Sequence, residues 1–150
     1  MDEPLELRRA RSADLSAVVR LIVEDQVAAS RESADLAPYE AAFRLIDADP
    51  AQLLLVAVVG GEVVGTLQLT VIPGLARAGA LRAQIEAVRV RADLRGRRIG
   101  AAMVQEAVDE ARRRGCALVQ LTTDKRRPDA HRFYARLGFT ATHEGFKLPL

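Results

Sequence analysis

Residues 88–100 read Val88-Arg89-Val90-Arg91-Ala92-Asp93-Leu94-Arg95-Gly96-Arg97-Arg98-Ile99-Gly100, passing from strand-like alternation through a basic turn into a helix. The helical pattern begins near Arg98 and Ile99 and gathers Ile99, Met103, Ala107 and Val108 on one face. The first amide N–H groups of such a helix have no acceptor within it, and its dipole is positive at that end. Flanked by Arg95, Arg97 and Arg98, the turn suits a phosphate or pyrophosphate group.

Working outward, residues 82–91 read as a strand in which Ile85, Ala87 and Arg89 alternate with Glu86, Val88 and Val90. Upstream, Gly60-Gly61 separates two β-rich runs, 53–59 and 62–71, and marks a hairpin because both glycines accept positive φ. Leu5 and Leu7 suggest an opening strand. Ser12 is the expected cap of a helix carrying Leu15, Val18, Val19, Ile22 and Val23. Pro38 opens a second helix to about Asp47, with Phe43, Leu45 and Ile46 as its apolar residues, and 73–80 reads as a Gly/Ala-rich loop. Downstream, Arg112-Arg113-Arg114 and Gly115 end the long helix. Residues 116–122 read as a buried strand, Asp129 as the cap of a short helix to Leu137 closed by Gly138, and 139–148 as one or two final strands. The order is β-α-α-β-β-β-α-β-α-β. At 150 residues it fits one domain, 1–150, around one core.

Charge and cysteine content remove several classes. Twenty-two basic residues face 20 acidic ones, a net charge of +2, and no tryptophan interleaves the basic clusters, so no nucleic-acid partner is expected. The single cysteine, Cys116, permits no intramolecular disulfide, and no metal-ligand spacing occurs, so no metal site and a reducing, cytoplasmic setting are expected. The start Met-Asp-Glu-Pro lacks a signal-peptide pattern, and the longest apolar run, 53–59, is too short to span a bilayer, so no membrane partner is expected.

Arg95-Gly96-Arg97-Arg98-Ile99-Gly100 resembles the acyl-CoA pyrophosphate loop of the GNAT N-acetyltransferase superfamily, written Arg/Gln-x-x-Gly/Ala-x-Gly/Ala. Arg98 alone departs from it, standing where a small residue is usual. A second stretch, Ala130-His131-Arg132-Phe133-Tyr134-Ala135-Arg136-Leu137-Gly138-Phe139, resembles the family's other signature, an aromatic-Tyr pair before a Gly-Phe turn. The two occur in the family's order, and the resemblance covers nearly the whole chain. It implies an α/β (α+β) GNAT fold: a mixed sheet of six to seven strands, splayed at the acyl-CoA site and flanked by about four helices.

The resemblance also implies acetyl-CoA as cosubstrate and transfer of its acetyl group to a primary amine of a small molecule by direct attack on the thioester. Backbone groups of Val88 and Val90 would meet the pantetheine, their side chains being core. Arg95, Gly96, Arg97, Arg98, Ile99 and Gly100 would meet the pyrophosphate, and Thr123, Ala130, Phe133 and Tyr134 would complete the cofactor site. Glu86, a carboxylate in a largely apolar strand nine residues before Arg95, is the candidate general base. Tyr134 stands where the family places a tyrosine near the cofactor sulfur and is the candidate general acid. The bland alternatives are a solvent-facing or ion-paired Glu86 and a Tyr134 packed beside Phe133.

Cys116 reads as a strand residue rather than a nucleophile, since no base is spaced to serve it, and His131 as a surface histidine. Arg127 replaces the asparagine many relatives carry seven residues before the tyrosine, which leaves Lys125, Arg126 and Arg127 to the 3′-phosphate side or to solvent. The stretch also resembles aminoalkylphosphonate and glucosamine-phosphate acetyltransferases, for whose anionic amines Arg77 or Arg82 could supply contacts. Arg31, Tyr39 and Phe43 are candidates for a substrate wall. Competing readings are a non-catalytic acyl-CoA-binding regulatory module, which would not need Glu86 or Tyr134, and an enzyme acting on a peptide or protein N-terminus or lysine. A homodimer is admissible, since dimers are common in the family.

Overall fold

The computed structural model describes residues 3–24 and 32–150, which divide into two compact units, 1–120 and 121–150. In the first, β1 (Leu5–Arg9), β2 (Gln52–Val59), β3 (Glu62–Ile72), β4 (Leu81–Val90) and β5 (Cys116–Leu121) lie side by side in sequence order. The first four pair antiparallel to one another in turn, and the turn at Gly60 and Gly61, φ 59° and 77°, makes the expected hairpin. β4 is joined to β5 through helix α4 (Ile99–Arg113), the kind of crossover a parallel pair requires.

Helices α1 (Leu15–Val23) and α2 (Ala37–Ala48) cover one sheet face, where Val18 and Phe43 pack with Ala10, Val56 and Val58. α4 covers the other. Met103, fully buried, reaches the backbone at Gly65, and Leu67, Leu69 and Ile85 are closed from solvent there. Burying these side chains supplies most of the unit's stability, at about 1.5–3 kcal/mol each. Among the described residues no helix is long and apolar enough to cross a membrane.

Several local expectations are corrected. Ser12 does not cap α1. It begins a 3-10 turn, Ser12–Asp14, whose Asp14 carboxylate accepts from the Arg11 amide at 2.7 Å and from the Arg8 guanidinium at 2.7 and 3.1 Å. On α2, Leu45 is 76% exposed, because a helix on a sheet buries only one stripe. Residues 73–80 contain one helical turn, α3 (Ala76–Gly79), with left-handed Arg77 and Ala78. β5 is half-buried rather than buried, as an edge strand is.

In the second unit α5 (Pro128–Arg136) is capped at Arg127, and Asp129 lies in its first turn, where a carboxylate complements the dipole. Gly138, φ 94°, closes it as expected. The final strands are absent: 139–150 has no regular structure, and Phe146, Leu148 and Leu150 are exposed. Among the described residues the sheet therefore has five strands rather than six or seven, since alternation supplies a pattern but not a partner for the backbone.

Candidate functional site

The strand before the basic turn is not regular. Thr66 pairs with Arg89 and Gln68 with Glu86, so two residues, Ala87 and Val88, stand opposite Leu67 alone, and Ala87 has φ +54°. This is a β-bulge, and it changes which side chains share a face. Glu86 and Arg89, three apart, both project toward the α1 and α2 side, whereas Val88 and Val90 turn with Ile85 toward α4. Simple alternation put Ile85, Ala87 and Arg89 together. Val88 and Val90 are half-buried rather than fully in the core.

Glu86 is exposed, and its Oε1 accepts a 2.7 Å hydrogen bond from Gln84 Nε2. Gln84 Oε1 in turn accepts from Gln120 Nε2 on β5 at 3.0 Å. Beside them, Gln52 Oε1 receives both Gln68 Nε2, at 2.8 Å, and Thr70 Oγ1, at 2.9 Å. Arg82, Gln84 and Glu86 alternate on this same face, so the start of β4, with Gln52, Gln68 and Thr70 beside it, carries a polar floor. Sequence reasoning missed the glutamines. Their signal was present in two-residue spacing within otherwise apolar strands.

Beyond β4, a short 3-10 turn, Ala92–Leu94, leads into the loop that opens α4. Gly96 is left-handed at φ 81°, and Arg98, the residue before the helix, is left-handed too at φ 64° and ψ 14°. Arg95, Gly96, Arg97 and Arg98 are exposed, and no acidic side chain lies in the first turn of α4. The amides of Ile99 and Gly100, in the first turn of α4, have no acceptor within the helix and suit an anion. The Ile99 side chain is core at 7% exposure, leaving only its backbone for a ligand.

Arg91 is taken out of the basic cluster. It bridges Asp93, at 2.7 and 3.1 Å, and Glu62, at 2.9 Å, contacts that raise its pKa and hold the Asp93 carboxyl low. Arg89 Nη1 donates to the Val88 carbonyl at 2.9 Å and Arg95 Nε reaches the Val90 carbonyl at 3.4 Å. One arginine of β4 and one of the loop thus already engage the carbonyls of the two valines whose backbone was expected to meet a cofactor arm.

In the second unit Tyr134 sits at the centre of an aromatic trio, edge-on to Phe133 at 5.0 Å and to Phe139 at 5.8 Å. Its carbonyl accepts from the amides of Leu137 and Phe139, so Gly138 and Phe139 lock the tyrosine's end of the helix. His131 Nε2 pairs with the Asp124 carbonyl at 3.1 Å and thereby ties the helix to the loop before it. Arg126 grips Asp124 at 2.7 and 3.0 Å and holds its carboxyl well below the usual range, so this arginine is engaged within the loop. Thr123 and Ala130 are half-buried at either side of that loop.

Of the remaining candidates, Tyr39 donates to Glu32 at 2.6 Å and accepts from the Ser33 amide at 2.9 Å, clasping the entry to α2. Phe43 is core and borders a cavity of about 480 Å³ with Arg9, Arg11 and Asp47. Arg31 lies outside the described residues. Burial pushes the Cys116 thiol pKa up, the opposite of what a thiolate nucleophile needs. Among the described residues no cluster of His, Cys, Asp or Glu could hold a metal ion.

Residues 16–139 match the acetyltransferase (GNAT) family. An aminoalkylphosphonate N-acetyltransferase of Salmonella typhimurium (strain LT2) is 33% identical over 141 residues, 94% of this chain and 88% of that protein. A glucosamine 6-phosphate N-acetyltransferase of Trypanosoma brucei brucei is 33% identical over 91 residues, 60% of this chain and 59% of that protein. The crystal structure of a transcriptional regulator from Bacillus halodurans C-125 superposes with a TM-score of 0.95 at 43% identity, covering 98% of this chain and 100% of that one.

Proposed function

Because this chain belongs to the acetyltransferase (GNAT) family, we propose that it moves an acetyl group from acetyl-CoA to the primary amine of a small molecule. The observation that carries the reading is the loop at 95–100. Two left-handed residues, Gly96 and Arg98, turn the chain into α4, so exposed arginines directly precede the positive end of a helix free of carboxylates in its first turn. That donor set fits a pyrophosphate. Arg95, Gly96, Arg97, Arg98 and the backbone of Ile99 and Gly100 would hold it, with backbone groups of Val88 and Val90 along the arm; Thr123, Ala130 and Phe133 are assigned to the cofactor by family resemblance.

The reaction forms a C–N bond and breaks a C–S bond. An amine nitrogen attacks the thioester carbonyl carbon, the amine gives up a proton, and the departing thiolate gains one. Glu86, exposed and held at one oxygen, is the proposed acceptor of the amine proton, directly or through a water. Tyr134 is the proposed donor to the thiolate, resting on its place in the family motif and on a hydroxyl-bearing ring fixed by two aromatic neighbours.

For the acceptor we infer an amine that also carries a phosphonate or phosphate. The named activity of the Salmonella relative supports this, and Arg82, half-buried on the same face of β4 as Glu86, is the cation assigned to the anionic group. The test is a panel of amines with detection of free CoA thiol. 2-Aminoethylphosphonate or glucosamine 6-phosphate should be turned over, and Arg82→Ala should raise KM for that amine with little change in kcat. Failure to bind acetyl-CoA by calorimetry would sink the assignment. Turnover confined to peptide N-termini or lysines would replace the acceptor while keeping the chemistry.

A further inference from the structure

The chain of amides beside Glu86 has a direction, and the carboxylate sets it. An ionised carboxylate only accepts hydrogen bonds, so the Gln84 atom 2.7 Å from Glu86 Oε1 is the amide nitrogen. The Gln84 carbonyl oxygen must then point the other way, where it meets the Gln120 amide nitrogen at 3.0 Å. Gln68, the register partner of Glu86 on β3, would be the obvious competitor, but its amide is committed to Gln52. One oxygen of Glu86 is therefore fixed from β4 and, through Gln84, from β5. Among the described residues the other oxygen, Oε2, accepts no hydrogen bond.

We propose that Gln84 is a positioning residue for Glu86, and that Gln120 acts with it by fixing the Gln84 amide. The proposal rests on Glu86 being the base. A solvent-exposed glutamate keeps side-chain conformational freedom, which must be given up whenever its carboxylate takes one orientation. Gln84 does this ordering before substrate arrives, and it leaves Oε2 to meet the proton-bearing nitrogen. The effect appears in the rate, because misplacing a reacting group costs catalysis far more than binding.

A double-mutant cycle tests it, with 2-aminoethylphosphonate as acceptor. Glu86→Gln should lower kcat about 100-fold and Gln84→Leu about 10-fold, each with the acetyl-CoA Kd and the thermal midpoint unchanged. The double variant should be no slower than Glu86→Gln alone, since Gln84 acts through the carboxylate. If the two losses multiply, or Gln84→Leu leaves kcat intact while Glu86→Gln does not, the positioning role is overturned and the base survives. An undiminished kcat in Glu86→Gln overturns both. Independently of any acceptor, the side-chain amide resonances of Gln84 and Gln120 in ¹⁵N-labelled protein should both shift in Glu86→Gln. Resonances that stay in place would overturn the relay.

Discussion

Arg98 shows how a single residue can carry opposed demands. Its φ of 64° is a conformation that costs an L-residue about 1–2 kcal/mol and glycine almost nothing. The family's small residue at this position is thereby explained, and so is the departure: the arginine retains a cation at the head of α4. Arg98→Gly should raise stability by about 1 kcal/mol, a thermal midpoint roughly 2–4 °C higher by calorimetry, while weakening acetyl-CoA binding. A variant that gains affinity would remove Arg98 from the phosphate site. The motif was legible because it is local. Its strain was not, since sequence names the residue and only the backbone path names its φ.

At the scale of elements, two contacts decide how strands and helices meet. Asp14, 8% exposed, joins β1 to the start of α1 through Arg8, whose hydrogen bond holds the Asp14 carboxyl below its ordinary pKa despite burial. A depressed folded pKa means a contribution complete above about pH 4, the unfolded value, and lost as pH falls through the folded one. Asp14→Asn keeps an acceptor for the Arg11 amide but discards the charge. It should cost about 2 kcal/mol in urea unfolding at pH 7, and the gap from the parent should narrow below pH 4. The second contact is Gly65, where an added Cβ would lie 3.0 Å from Met103 Cε and Sδ and 3.3 Å from Ala57 Cβ. Gly65→Ala should destabilise by about 2 kcal/mol by pushing α4 off the sheet. Combined with Met103→Ala it should lose less than the two single losses together, a coupling that equilibrium unfolding measures directly. Helical periodicity puts Met103 on the core face, but the glycine it packs on is 38 positions away and shows no local mark.

For the whole molecule, ligand binding and folding are linked. A ligand that binds only the folded chain stabilises it by mass action, so acetyl-CoA at a hundred times its Kd should add about 2.7 kcal/mol and raise the thermal midpoint by several degrees. An unmoved midpoint at that saturation would contradict the assigned cosubstrate. By itself the sequence determined the order of the main elements from β1 to α5, the Gly60-Gly61 hairpin, the long helix from Ile99 and both family motifs, because turn chemistry and 3.6-residue periodicity act within a few neighbours. Only the tertiary structure decided the faces of β4. The bulge at Ala87 and Val88 exists through pairing with β3, and it moves Arg89 to the side of Glu86. Likewise Gln84, Gln120, Gln68 and Gln52 lie on four strands, and nothing in any one strand says that their amides meet. Pairing also decided against strands in 139–148, whose alternation had no edge assigned to it. Local conformation is written in adjacent residues, whereas register and facing are set by which strand supplies the opposite hydrogen bonds.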